Sequence, residues 1–270
     1  MLFRDDDSGS SFYDFLLSKR PEASARFPHP IPQAQSHAQA PAALPPFPHG
    51  TTILAIRYQD GVLMAGDRQA TEGFQVSGRR IEKVFKTDDH STIAIAGAAG
   101  PAIELARLFQ IELEHYEKLE GDILSCEGKA NKLAQMVRGN LPMAFQGLVV
   151  IPIFAGYDLK RREGRIFKYD VTGGRYEEIE YYAVGSGGKD ARDTMKPLYR
   201  RDLTEPQALK IAMEALYNAA EEDVGTGGPD FVRGIYPIAK VITEHGVRDV
   251  DTPRMAEICT ALIENRRERA

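Results

Sequence analysis

Cysteine is scarce in this sequence, with only Cys126 and Cys259, far apart. Two such residues build neither a disulfide framework nor a cysteine-based zinc site, and they fit a reducing cytoplasm. Long apolar runs are lacking too; no stretch approaches the roughly 20 apolar residues that a membrane span requires. The N-terminus opens with Arg4-Asp5-Asp6-Asp7 and its apolar runs, such as Phe15-Leu16-Leu17, stop at three residues, so no secretory signal is expected. A basic excess is also missing. The formal net charge of −5 and a pI of 5.8 exclude the electrostatic footprint of a nucleic-acid or anionic-membrane binder. Glu112, Glu114, His115 and Glu117 crowd together without His-Glu-x-x-His spacing and read as a solvated helix face. Around Gly185-Ser186-Gly187-Gly188-Lys189, Ala183 stands where a phosphate loop needs its first glycine and Asp190 where it needs Ser or Thr. No nucleotide, metal or other cofactor is expected.

What is present divides at residue 50. Eight of the 16 prolines and three of the six histidines lie in residues 1–50, a stretch that cannot propagate helix or sheet ladders. It reads either as a flexible tail or as a pro-segment, and its Phe12-Tyr13-Asp14-Phe15-Leu16-Leu17 patch could dock on a folding partner. The change of character at Gly50 is abrupt. Thr52 to Tyr58, a Gln59-Asp60-Gly61 turn and Val62 to Asp67 form a hairpin. After the polar Arg68 to Ser77 come strands from Lys83 to Thr87 and from Thr92 to Ala96.

Gly97-Ala98-Ala99-Gly100-Pro101 then opens a helix whose Ile103, Leu105, Ala106, Phe109, Leu113 and Tyr116 recur at helical spacing. A second helix covers Lys129 to Gly147, with Pro142 predicting a kink or break. Strands return at Val149 to Tyr157, Arg165 to Asp170 and Tyr176 to Val184. Helices follow at Lys189 to Tyr199 and Thr204 to Glu222, the latter with a Thr204/Gln207 capping box; a hairpin of Ile235 to Thr243 and Val247 to Val250 and a helix from Pro253 to Asn265 close the chain. Strands segregate from helices, which predicts an α+β fold of antiparallel sheets covered by helix pairs, a four-layer αββα sandwich.

Thr51 has the chemistry of a nucleophile if the Gly50–Thr51 bond is cut. A free α-amine has a reference pKa of about 8, against about 10.4 for lysine, so an N-terminal threonine carries its own general base. Its branched Cβ restricts the rotamer that aims Oγ. Gly50 leaves its carbonyl open to attack by that oxygen. Taken alone, the dipeptide reads as a turn entering a strand.

The wider sequence resembles the β-type subunit of the 20S proteasome in its bacterial, actinobacterial form. Over residues 49–265 the matching blocks are His49-Gly50-Thr51-Thr52-Ile53, Met64-Ala65-Gly66-Asp67-Arg68, Glu82-Lys83-Val84, Ile95-Ala96-Gly97, Ala183-Val184-Gly185-Ser186-Gly187 and Asp223-Val224-Gly225-Thr226-Gly227-Gly228. The resemblance implies the fold of N-terminal-nucleophile hydrolases, a propeptide of residues 1–50 removed by autocleavage between Gly50 and Thr51, and a mature catalytic domain of residues 51–270. It implies that Thr51 is the nucleophile and that Asp67 and Lys83 form a charged pair beside it, the carboxylate keeping the lysine charged. Gly97 would supply the oxyanion-hole N–H, and Ser186, Asp223 and Thr226 would surround the α-amine; Thr226 replaces a serine common in the family. Thr71, Gly97 and Ala99 match positions whose backbone pairs with an extended peptide. Ala70, Ile81, Phe85, Ile95, Ala99 and Ile103 match the lining of an apolar specificity pocket.

The implied activity is that of a threonine endopeptidase in the cytoplasm, degrading unfolded proteins inside a barrel of stacked rings (α7β7β7α7, a 28-mer). The implied partners are α subunits, other β subunits, a hexameric ATPase regulator acting through the α ring, and unfolded or tagged protein substrates. Three rivals are the peptidase of the bacterial two-component ATP-dependent protease, a small-molecule amidase with an N-terminal nucleophile, and an inert ring-building subunit. The first has shorter chains without a Thr226-Gly227-Gly228-Pro229-Asp230 region, and the last would suit a chain lacking Gly50-Thr51, Asp67 or Lys83.

Overall fold

Every second side chain of the two opening strands faces a helix layer, and the others face a second sheet. In β1 (Thr52–Tyr58), Leu54, Ile56 and Tyr58 join one core, whereas Ile53 and Ala55 join another; in β2 (Gly61–Gly66), Leu63 and Ala65 separate likewise from Val62 and Met64. This is the period of two expected of strands, but with both faces covered the hydrophobic run becomes nearly continuous. The computed structural model describes residues 50–72 and 75–268, all within one of the chain's two units, Leu44–Ala270. The leader up to residue 49, including its apolar patch at 12–17, lies outside the described residues.

A short ribbon of β3 (Ala70–Glu72) and β4 (Gln75–Gly78) follows the first hairpin, then β5 (Val84–Asp88) and β6 (Ser91–Gly97). Helices α1 (Ala99–Glu120), α2 (Cys126–Gly139) and α3 (Leu141–Ala144) separate these from β7 (Val150–Asp158), β8 (Glu163–Tyr169), β9 (Arg175–Glu178) and β10 (Tyr181–Gly185). After α4 (Gly188–Leu198) and α5 (Glu205–Glu222) come β11 (Ile238–Thr243), β12 (Gly246–Asp249) and α6 (Thr252–Arg267). The strands assemble into two five-stranded antiparallel sheets, ordered β10-β1-β2-β11-β12 and β5-β6-β7-β8-β9.

Three hydrophobic layers bind these sheets. Ile53, Met64, Ala94, Ile153 and Ile166 fill the space between the sheets; Phe109, Leu133, Phe154 and Phe167 lie between the second sheet and α1 and α2; Leu54, Leu63, Ala212, Leu216 and Cys259 lie between the first sheet and α4, α5 and α6. The architecture is therefore the expected four-layer αββα sandwich. The Thr204/Gln207 capping box starts α5 with Pro206 in its first turn, and the chain breaks at Asn140 just ahead of Pro142, dividing the second helical run.

Two expectations are corrected. Arg68 to Ser77 is not simply polar loop, since β3 and β4 pair there across a register shift between Ala70 and Thr71. Strands this short show too little alternation to register in sequence. Tyr176 to Val184 is not one strand: β9 pairs with β8 and β10 pairs with β1, so the chain changes sheet at Ile179-Glu180. No glycine or proline marks that corner, which hides it.

Phe154 is fully buried, with its ring centroid 6.2 Å from Phe109 in an edge contact and 6.0 Å from Phe167. Phe154→Ala is expected to lower the unfolding free energy by about 3–5 kcal/mol, read from the denaturant midpoint. A loss below about 1 kcal/mol would mean that this layer repacks freely.

Candidate active site

The start of β1 and the end of β2 lie side by side because Ile53 pairs with Gly66 in the hairpin, which sets Asp67 beside Thr52. Asp67 N–H donates to Thr52 O at 3.0 Å, and Thr52 N–H donates back to Asp67 Oδ1 at 2.8 Å. The same Oδ1 accepts from Lys83 Nζ at 2.7 Å; Oδ2 accepts from the backbone N–H groups of Gln69 at 2.9 Å and Gly227 at 3.0 Å. This carboxylate is wholly buried and holds four donors, so its charge is compensated where water cannot reach.

Lys83 stands just ahead of β5 and is anchored by Ile95 N–H donating to its carbonyl at 3.1 Å. Its Nζ also reaches Gly50 O at 3.4 Å. Burial is the strongest influence on this ammonium and pushes its pKa below the ordinary 10.5, with Asp67 opposing the shift. Asp67 acts in the direction the sequence reading gave it, favouring the charged lysine, while burial works the other way.

Thr51 Oγ1 donates to Gly50 O at 2.7 Å, so the hydroxyl lies against the carbonyl it would have to attack. Thr51 N–H donates to Ser186 Oγ at 3.2 Å, and Ser186 N–H donates to Thr51 O at 2.9 Å. The Ser186 hydroxyl donates to Asp223 Oδ2 at 2.5 Å, as does Thr226 Oγ1 at 2.5 Å. With the Thr226 proton committed to Asp223, the 2.6 Å contact between Thr52 Oγ1 and Thr226 Oγ1 has Thr52 as donor. Asp223 caps the end of α5 and gathers the Ser186 and Thr226 hydroxyls, of which Ser186 meets the Thr51 nitrogen. Threonine at 226 thus makes the hydroxyl contact that the serine of other family members could make.

A cavity of about 220 Å³ opens on Gly50 and Thr51. All of the anticipated substrate positions, Ala70, Thr71, Ile81, Phe85, Ile95, Ala99 and Ile103, line it together with Lys83 and Gly97. Gly97 ends β6 with φ +119°, and a Cβ there would lie 2.0 Å from Val149 O, so only glycine fits. Thr71 also acts on the leader side, its Oγ1 accepting from Gly50 N–H at 3.1 Å. The lining is not purely apolar, however. Glu72 and Ser77 join it, as do Gln69, Glu82 and Leu148, none of which the sequence reading placed in the pocket. The signal for Glu72 and Ser77 was the ribbon that the sequence hid.

Among the described residues no other group rivals Thr51 as a nucleophile. Burial raises the Cys126 thiol to about 12 and the Cys259 thiol to about 11, and they sit in separate cores. Glu112 pairs with Lys132 at 2.7 Å and Glu114 with Lys118 at 2.5 Å on the helix surface.

A family model described as "Proteasome subunit" matches residues 47–232. The chain belongs to the proteasome subunit family. A relative called "Proteasome subunit beta" from Acidimicrobium ferrooxidans is 59% identical over 222 residues, covering 82% of this chain and 81% of the relative. Proteins of the same description from Acidothermus cellulolyticus and Streptomyces griseus are 54% identical over 245 residues and 51% identical over 259 residues. These alignments cover 88% and 96% of this chain, and 81% and 89% of the respective relatives. Among the described residues no helix is long and apolar enough to cross a membrane.

The buried lysine generates a pH signature. Because folding depresses its pKa, the unfolded chain binds the proton more tightly, and the Lys83 contribution to stability rises with pH from the folded pKa up to 10.5. Lys83→Met should remove that alkaline rise, measured as the difference between the unfolding free energies of the two proteins across the window. Parallel curves would contradict a depressed pKa.

Proposed function

We propose that this chain is the precursor of a catalytic β subunit of the 20S proteasome, a threonine endopeptidase that matures by cutting its own Gly50–Thr51 bond. The observation that carries the reading is the contact of Thr51 Oγ1 with Gly50 O at 2.7 Å, next to the buried Lys83–Asp67 pair. In the first reaction Thr51 Oγ loses its proton and attacks the Gly50 carbonyl carbon. Negative charge develops on Gly50 O, which Lys83 Nζ faces at 3.4 Å. The C–N bond then breaks, the nitrogen takes up a proton to become the α-amine, and the acyl group is left as an ester on Oγ. Water hydrolyses that ester, releasing residues 1–50 with a free Gly50 carboxylate and regenerating the Thr51 hydroxyl.

The second reaction repeats this chemistry on a substrate peptide, with the new amine as general base. The amine is held where Thr51 N now meets Ser186 Oγ, with Asp223 behind. Gly97 supplies an N–H for the oxyanion, and the backbone of β3 pairs with the extended substrate. Ile81, Phe85 and Ile95 favour an apolar residue before the cut, while Glu72 and Glu82 admit a basic group at the rim.

In this reading the chain sits in stacked α and β rings in the cytoplasm, with substrates unfolded by a hexameric ATPase and delivered through the α ring; relatives described as proteasome β subunits support assembly with other proteasome subunits. Relatives described as proteasome β subunits, aligned over more than 80% of their own length, favour this over the shorter two-component peptidase. The intact Gly50-Thr51, Asp67 and Lys83 set speaks against an inert ring-building subunit.

Thr51→Ala is the direct test, in particles co-assembled with an α-type subunit. Both peptide hydrolysis and leader removal should fall to background. Continued self-cleavage would mean that the nucleophile lies elsewhere.

A further inference from the structure

Gly50 and Gly225 meet backbone to backbone. A methyl on Gly50 would lie 2.0 Å from Gly225 Cα and 2.3 Å from Gly225 O; a methyl on Gly225 would lie 2.4 Å from Gly50 Cα. Real Cβ atoms do not approach other atoms so closely, so each glycine requires the other to lack a side chain. Gly225 is buried, and its own N–H donates to Asp223 Oδ1 at 3.1 Å, which fixes it relative to the cap of α5. Its φ lies outside the left-handed region, so an alanine there meets a contact and no backbone strain.

We infer that Gly225 is a positioning residue for removal of the leader and not for the peptide hydrolysis that follows. This rests on the maturation proposed above. Gly50 is held from one side by Thr71 Oγ1 and seated on the other against Gly225, and the two contacts fix its carbonyl against Thr51 Oγ1 and Lys83. Once the bond is cut, Gly50 departs and the requirement at 225 goes with it. The next atoms a methyl on Gly225 meets are Ser186 Oγ at 3.1 Å and Asp223 Oδ1 at 3.4 Å, both side-chain atoms that can give by a few tenths of an ångström. The same loop thus serves two substrates under different steric rules: its Asp223 and Thr226 hydroxyl network acts throughout, while its Gly225 acts once.

The test compares wild type, Gly225→Ala and Gly50→Ala, each full-length and co-assembled with an α-type subunit. Leader loss is followed by intact mass, and peptide turnover is normalised to the amount of free Thr51 N-terminus. Gly225→Ala should slow leader loss about tenfold or more, since small displacements of reacting groups are costly, while turnover per freed Thr51 stays within about threefold of wild type. Equal rates of leader loss would overturn the inference. A matching fall in turnover per freed Thr51 would overturn it too, because it would make Gly225 part of the shared machinery. If Gly225→Ala does not assemble, Gly50→Ala decides: its product is identical to wild type, slow leader loss upholds the contact, and wild-type maturation overturns it. Retention of the leader by wild type would instead defeat the maturation proposal itself.

Discussion

The site depends on one buried carboxylate. Asp67 has no water to solvate it, and a lone charge in that position would cost several kcal/mol. Four donors remove the cost, and each belongs to a different stretch of chain: Thr52 in β1, Gln69 after β2, Lys83 before β5 and Gly227 beyond α5. Asp67 therefore connects the strand that carries Thr51, the lysine that faces the Gly50 carbonyl, and the loop that carries Thr226. These elements belong to both sheets and to the segment after α5. Satisfying one charge fixes their mutual positions.

Around this centre the precursor is already arranged for chemistry. Thr51 Oγ1 lies on the Gly50 carbonyl, while the nitrogen that the proposed cleavage would free as the α-amine is in contact with Ser186 and, through it, Asp223. Little has to move between the proposed self-cleavage and the proposed peptidase reaction. What changes is the occupant of the position before Thr51, first Gly50 of the same chain and later a substrate residue directed into the cavity between Ala70, Ile81, Phe85 and Ile95.

Much of this was legible in the sequence for physical reasons. The first hairpin was marked by its Gln59-Asp60-Gly61 turn and apolar strands, α5 by its capping box, and the break near Asn140 by Pro142, all of which are local signals. The family resemblance, borne out by the comparisons, supplied the order of residues that the fold brings together. What the sequence hid was short or non-local. The β3–β4 ribbon has strands of three and four residues, the corner at Ile179-Glu180 carries no glycine or proline to mark it, and the Gly50–Gly225 contact joins residues distant in sequence. The downward push of burial on the Lys83 pKa was also hidden, because desolvation depends on burial, which residue types alone do not give.

The central claim is that the working enzyme begins at Thr51. The N-terminal residue and intact mass of the β chain, taken from assembled particles that actively hydrolyse peptide, test it most directly. The account predicts a chain starting at Thr51 with a free amine, lighter than the precursor by residues 1–50. Active particles whose β chains still carry those residues would contradict it.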